Sequence, residues 1–261
     1  NLMAAAAGPV IIGGGLAGGL LALALRELGA PVTLIDASPA LACSATAISY
    51  GAVPGWPLAP TPLARLAAGA PGAWRRLQRR HGALGWRQAA LRLHGQNPAL
   101  RGLSRLGVLP FGQMDTAVLD QRWPELLVAA RVECIPAAVE RLEPHPTGGA
   151  TLHLADGCAL RAAEVVLAAG SGCRRLWPEL PSRFRSSWAA VLELLAIPDA
   201  LGSRACWLPQ RFMRVPLERR AAQLHAPEWV VDPGLVPRGA GALLGQLTEV
   251  RPGLDPGLPP E

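Results

Sequence analysis

Three glycines and an aspartate, Gly13, Gly15, Gly18 and Asp36, are the residues of this 261-residue chain whose types and spacing point most directly to a chemistry. That chemistry is non-covalent: holding a diphosphate and a ribose. In a G-x-G-x-x-G run the first glycine allows a tight turn, and the second lets backbone approach a pyrophosphate. The third lets the following helix lie against the preceding strand. Leu16 and Ala17, between the second and third glycines, open a helix whose N-terminal amides and dipole favour an anion. Asp36 accepts hydrogen bonds from ribose hydroxyls, with Ala37 and Ser38 continuing that edge of the site.

These residues need a strand on either side and a helix between. Pro9-Val10-Ile11-Ile12 is a short apolar run, as expected of a parallel strand covered on both faces. The spacing predicts a helix over Leu16 to Leu28, with Ala22 small enough to meet the sheet and Gly29 ending it. Val32 to Ile35 reads as the second strand and delivers Asp36 at its end. Strand, glycine turn, helix, strand and acid in this order make a dinucleotide-binding unit. Downstream come a helix around Asp120 to Ala130, strands at Arg131 to Ile135 and Val139 to Leu142, and turns at Gly148-Gly149 and Asp156-Gly157. Glu164 to Gly170 is an apolar strand ending in the small residues Ala168, Ala169 and Gly170.

This arrangement resembles the two-part FAD domain of glutathione-reductase-like flavoproteins, in which a strand ending in A-x-G returns beside the first. The resemblance implies FAD as cofactor, admitted by Ala168, Ala169 and Gly170, with the backbone of Val139 at the adenine. Ser44, Ala45 and Thr46 begin a small and hydroxyl-rich stretch, reaching to Gly51, that suits backbone passing along a flavin. Together with a helix through Leu63 to Gln78, the strand Gly85 to Gly95 and the segment Val166 to Leu180, the order is similar to glycine oxidase and the D-amino-acid oxidase superfamily.

The fold that follows from this likeness is α/β: a Rossmann-like, glutathione-reductase-like FAD-binding domain interleaved with an antiparallel β-sheet substrate domain. Residues 1–82 plus 107–180 are expected in the first and 83–106 plus 181–250 in the second. Strands are expected at Trp188 to Leu195, Trp229 to Pro237 and Ala242 to Val250, and 251–261 as a loop leading into a missing C-terminal part of a truncated chain. The activity implied is oxidation of a small-molecule amine or amino acid by hydride transfer to flavin N5, with oxygen as electron acceptor. No catalytic base is required, and no catalytic residue is assigned. Two alternatives stay open, an FAD-dependent hydroxylase or reductase of another class and a truncated, non-catalytic nucleotide-binding chain.

Members of that superfamily hold a substrate carboxylate with an arginine in a late R-P segment and a tyrosine near a V-P-R segment. Val236-Pro237-Arg238 matches the second, yet Gly234 stands where the tyrosine belongs, and the only tyrosine of the chain is Tyr50. No phenol is expected there. Arg251-Pro252 follows directly on a strand and reads as a Pro/Gly loop.

Composition narrows the rest. The net charge of +6 comes from 25 arginines without a lysine, and the densest group, Arg75, Arg76, Arg79 and Arg80, reads as a solvated helix face, so no nucleic-acid partner is expected. Five cysteines, Cys43, Cys134, Cys158, Cys173 and Cys206, form no CxxC and suggest neither disulfides nor zinc, which favours the cytoplasm. The five histidines show no ligand spacing, so no metal is expected. The uncharged stretch from Leu2 to Leu25 is broken by Gly13 to Gly15 and lacks a basic leader, so no membrane span is expected.

Overall fold

A computed structural model describes residues 5–38, 44–57, 60–197, 205–254 and 257. The chain divides into two compact units, one of residues 1–48 and 116–180, the other of 49–115 and 181–261. The segments 49–82 and 107–115, expected with the nucleotide half, therefore belong to the second unit.

The first unit is built around β1 (Val10–Ile12), all three residues of which are buried. It is one of the two inner strands of a four-stranded parallel sheet in the order β11 (Val165–Leu167), β1, β2 (Thr33–Asp36), β7 (Glu133–Pro136). Val10 pairs with Thr33 on one side and Val165 on the other. Helix α1 (Leu16–Glu27) joins β1 to β2 and buries Gly18, Gly19, Ala22 and Leu23. It ends as the glycine predicts: Gly29 has φ +82°, and Ala30 N–H donates to Leu25 O at 3.0 Å, closing a Schellman motif. Helix α5 (Thr116–Ala129) opens the second stretch of the unit, and Arg26 ties it to α1 by donating to Ala130 O at 3.1 Å.

A second sheet of this unit is the antiparallel meander β8 (Val139–Pro144), β9 (Ala150–Leu154), β10 (Ala159–Ala162), turning at Gly148-Gly149 and Gly157, all at positive φ. Its inner face, with Val139, Leu152, Leu154, Leu160 and Ala162, shares one core with Val10, Ile12 and Ile35. The short helix α6 (Cys173–Leu176) adds Leu176 to that core.

In the second unit, a five-stranded sheet runs β12 (Ser187–Leu194), β15 (Gly241–Val250), β14 (Glu228–Arg238), β13 (Cys206–Pro209), β5 (Leu91–His94). It is antiparallel except that β5 joins β13 in parallel. A three-stranded antiparallel sheet, β3 (Ala52–Pro54), β6 (Phe111–Met114), β4 (Trp86–Gln88), completes the strands. The helices are α2 (Pro62–Ala67), α3 (Ala70–His81), α4 (Pro98–Arg105) and α7 (Arg214–Arg219).

Two expected elements are split. The helix from Leu63 to Gln78 becomes α2 and α3, broken at Ala68-Gly69, where Gly69 caps the second helix and Pro71 occupies its first turn. The strand from Gly85 to Gly95 becomes β4 and β5, because the chain changes sheets between two alanines. Ala89 N–H still donates to Phe111 O, whereas Ala90 O accepts from Cys206.

Candidate functional site

The glycine turn is shaped by contacts that admit no side chain. Gly13 leaves β1 with φ +107°, and a Cβ there would lie 2.4 Å from Ala168 O. A Cβ on Gly18 would lie 1.9 Å from Gly13 O, so α1 starts directly on the strand end. Gly15 differs: the nearest atom to its Cβ position is Thr46 Oγ1 at 3.9 Å, so the space at that position is not filled by close contact. The N-cap residue, Gly15, has no side chain to cap that end, and the first turn carries no acid. Leu16 N–H donates to Thr46 Oγ1 at a long 3.4 Å. Amides and a positive dipole meet at this end of α1, with Ala17 in the same turn, an arrangement that favours an anion.

Asp36 ends β2 with both carboxylate oxygens engaged. One accepts from Gly14 N–H and the other from Ser38 N–H at 2.7 Å. The carboxylate therefore braces the glycine turn, and its further lone pairs are what a ribose hydroxyl would meet. Ala37, exposed, links the two anchored residues.

Ser44, Ala45 and Thr46 form one turn beside this end of α1. Ser44 Oγ accepts from Ala47 N–H at 3.3 Å, Ala45 is exposed, and Thr46 reaches Leu16. Thr116, opening α5, donates to Ala47 O at 2.9 Å and fastens the turn. The end of β11 closes the opposite side: Ala168 N–H donates to Ile12 O at 2.8 Å, and Ala169 precedes a 3-10 turn, Gly170–Gly172, in which Gly170 has φ +56°. Val139 lies apart from these contacts at the start of β8, its side chain in the core and its carbonyl accepting from Arg175 at 3.3 Å.

Trp123 is the residue that patterning misses. Its Nε1–H donates to Gly14 O at 2.9 Å, and its ring fills the space beside Gly19, where a Cβ would meet it at 2.3 Å. Eight tryptophans without a pattern read simply as core. The signal that marks this one is Gly19, a glycine inside α1 with no part in the phosphate motif.

In the second unit the expected absence of a phenol near Gly234 is overturned. Tyr50 O–H donates to Gly234 O at 3.5 Å, and a Cβ on Gly245, which pairs with Gly234, would lie 3.4 Å from the same oxygen. Tyr50 packs with Phe111 and Val236, which brings it across the sheet from a distant point in the sequence. Burial raises its pKa, and the nearby Asp232 charge adds to the shift. Arg251 pairs with Glu249 at 3.0 Å, while the later Asp255-Pro256 and Leu258 to Glu261, like Cys43, lie outside the described residues. Among the described residues no cluster of His, Cys, Asp or Glu is disposed to hold a metal, and no helix is long and apolar enough to cross a membrane.

Solved structures share this fold at low identity. Glycine oxidase from Bacillus cereus ATCC 14579 is 15% identical with a TM-score of 0.66, covering 92% of this chain and 70% of that one. Glycine oxidase from Geobacillus kaustophilus is 17% identical at 0.64, covering 95% and 72%. L-amino acid deaminase from Proteus vulgaris is 14% identical at 0.65, covering 94% of this chain, which spans only 61% of that protein's length. No curated protein sequence matches the chain. The match in sequence is to a family, DAO, described as FAD dependent oxidoreductase, over residues 10–130. Those limits enclose the whole path from β1 through Asp36 to Trp123, so the likeness in sequence to the FAD dependent oxidoreductase family falls on the residues of the candidate site.

Proposed function

We propose that the chain is part of an FAD-dependent oxidoreductase acting on an amine or small amino acid. The observation that carries the reading is the unfilled Cβ position of Gly15 at the start of α1, set beside Gly13 and Gly18 packed too tightly for any side chain. An FAD diphosphate fits that cradle. Gly15, Leu16, Ala17 and Gly18 would meet it, with Asp36 on the ribose, Ala37 and Ser38 beside it, and the backbone of Val139 at the adenine. Ser44, Ala45, Thr46 and Ala168 to Gly170 would border the remainder.

When bound, FAD would supply a two-electron acceptor for the hydride that an amine's α-carbon gives up. The chain's own share is orientation and exclusion of water. Asp36 and Trp123 fix the glycine turn from two sides, through the amide and the carbonyl of Gly14. Residues 83–106 and 181–250 carry the substrate role in this reading, oxygen is the electron acceptor, and free cysteines fit a cytoplasmic protein.

The test is reconstitution with FAD followed by a screen of glycine and longer L- and D-amino acids for peroxide and ammonia. A flavin absorbance band that survives dialysis, with peroxide from at least one amine, is the expected result. A colourless protein that retains no FAD overturns the proposal, and NADPH turnover without amine-dependent peroxide points to a hydroxylase or reductase.

A further inference from the structure

All nineteen acidic residues of the chain lie outside residues 37–114, a stretch that holds nine arginines. Within it, α2 is a helix that buries none of its residues, and it displays Leu63 and Leu66, 75% and 76% exposed, with Arg65 between them. A six-residue helix lies far below the length that is stable alone, and helices ordinarily persist by burying an apolar face. Thr61 caps α2, accepting from Ala64 N–H at 3.1 Å, and Pro62 starts it, so its geometry is preset while its leucines remain uncovered.

Two residues later α3 begins, firmly seated. Trp74 and Pro71 are buried, and the Gln78 side chain donates to Trp86 O and accepts from Leu84 and Trp86 amides at 2.9–3.0 Å. That anchorage turns Arg75, Arg76 and Arg79 outward, all exposed. Exposed leucines beside exposed arginines, on a segment whose own sequence supplies no acid, match the demands of one environment, the interface of an anionic bilayer.

We propose that α2 and α3 form a peripheral membrane contact, with Leu63 and Leu66 entering the headgroup region and Arg65, Arg76 and Arg79 holding lipid phosphates. Charge complementarity selects this occupant over the others. A second copy would bring the exposed arginines of one α2–α3 segment against those of another. Nucleic acid would answer the arginines, but it would leave two aliphatic side chains in water and find no exposed aromatic on α2 or α3 to stack on. The proposal is independent of flavin chemistry.

The experiment is co-sedimentation of the full chain with vesicles of phosphatidylcholine alone or with about a quarter phosphatidylglycerol, at low and high salt. The expected result is at least about fivefold more protein pelleted with the anionic vesicles, most of it released by about 0.5 M salt. The double substitution Leu63→Ser, Leu66→Ser should lower this binding about tenfold, as should Arg76→Gln with Arg79→Gln. Because neither leucine is buried, the serine variant should keep the parent circular dichroism spectrum. Leu28→Ser, at an 82% exposed leucine of the first unit, should bind as the parent does. Equal pelleting with neutral and anionic vesicles, binding unchanged by the serine pair, or preference for single-stranded DNA over anionic vesicles would each overturn the proposal.

Discussion

Gly14 is held at both of its polar backbone atoms, by the Asp36 carboxylate at its amide and by the Trp123 indole at its carbonyl. Trp123→Phe keeps most of the ring volume and removes the donor, leaving a carbonyl without its partner, which costs about 1–3 kcal/mol if it stays buried. The expected outcome is FAD affinity about tenfold weaker, by fluorescence titration, in a protein that otherwise folds. Gly18→Ala is harsher, because its Cβ would overlap Gly13 O, and it should abolish retention of FAD through dialysis. The difference between these two residues shows what was legible in advance. Gly18 announces its role by spacing alone, since the phosphate motif is local in sequence. Trp123 acts from 109 positions away, and Tyr50 reaches Gly234 from 184, so only the folded chain reveals them.

The pairing of α1 with α5 has a tight point at the Trp123 ring against Gly19. Gly19→Ala forces a methyl into that ring, at 2.3 Å, and should destabilise the first unit by about 1–3 kcal/mol, measurable as a lowered urea midpoint. Double-mutant analysis with Trp123→Phe checks the origin, because a shared contact makes the two effects non-additive. Elements defined by their own residues were readable: β1, α1 and β2 fall within a residue or two of their expected bounds, and the three meander strands turn at the expected glycines. Elements defined by their neighbours were not. Nothing local tells residues 85–95 to leave one sheet for another, because that change depends on Phe111 and Cys206 being available as partners.

Each unit is assembled from two separated stretches of chain, so neither can form from one stretch alone. A fragment of residues 1–115 lacks β7 and β11, which flank β2 and β1, and should show no cooperative melt and no FAD uptake. Stability of the whole chain should also fall in alkali, through the buried thiol of the second unit. Burial pushes Cys206 from 9.0 up to about 12, against a smaller opposing effect of Arg87. Between those values the unfolded chain releases this proton and the folded one keeps it, so unfolding becomes easier by about 1.4 kcal/mol per pH unit. Urea melts at rising pH should show this slope, and Cys206→Ala should flatten it. The raised phenol of Tyr50 acts in the same direction at higher pH, and Tyr50→Phe should flatten what remains. The parallel pairing of Val10 with Val165 has a consequence in time as well as in space. During synthesis at 5–20 residues per second, β11 emerges roughly 8–30 s after β1. Through that interval β1, an inner strand of the parallel sheet, has one edge bare, while the intervening residues 49–115 are already free to collapse. A nascent chain of this protein should therefore be a client of ribosome-associated chaperones, and cofactor loading a post-translational event.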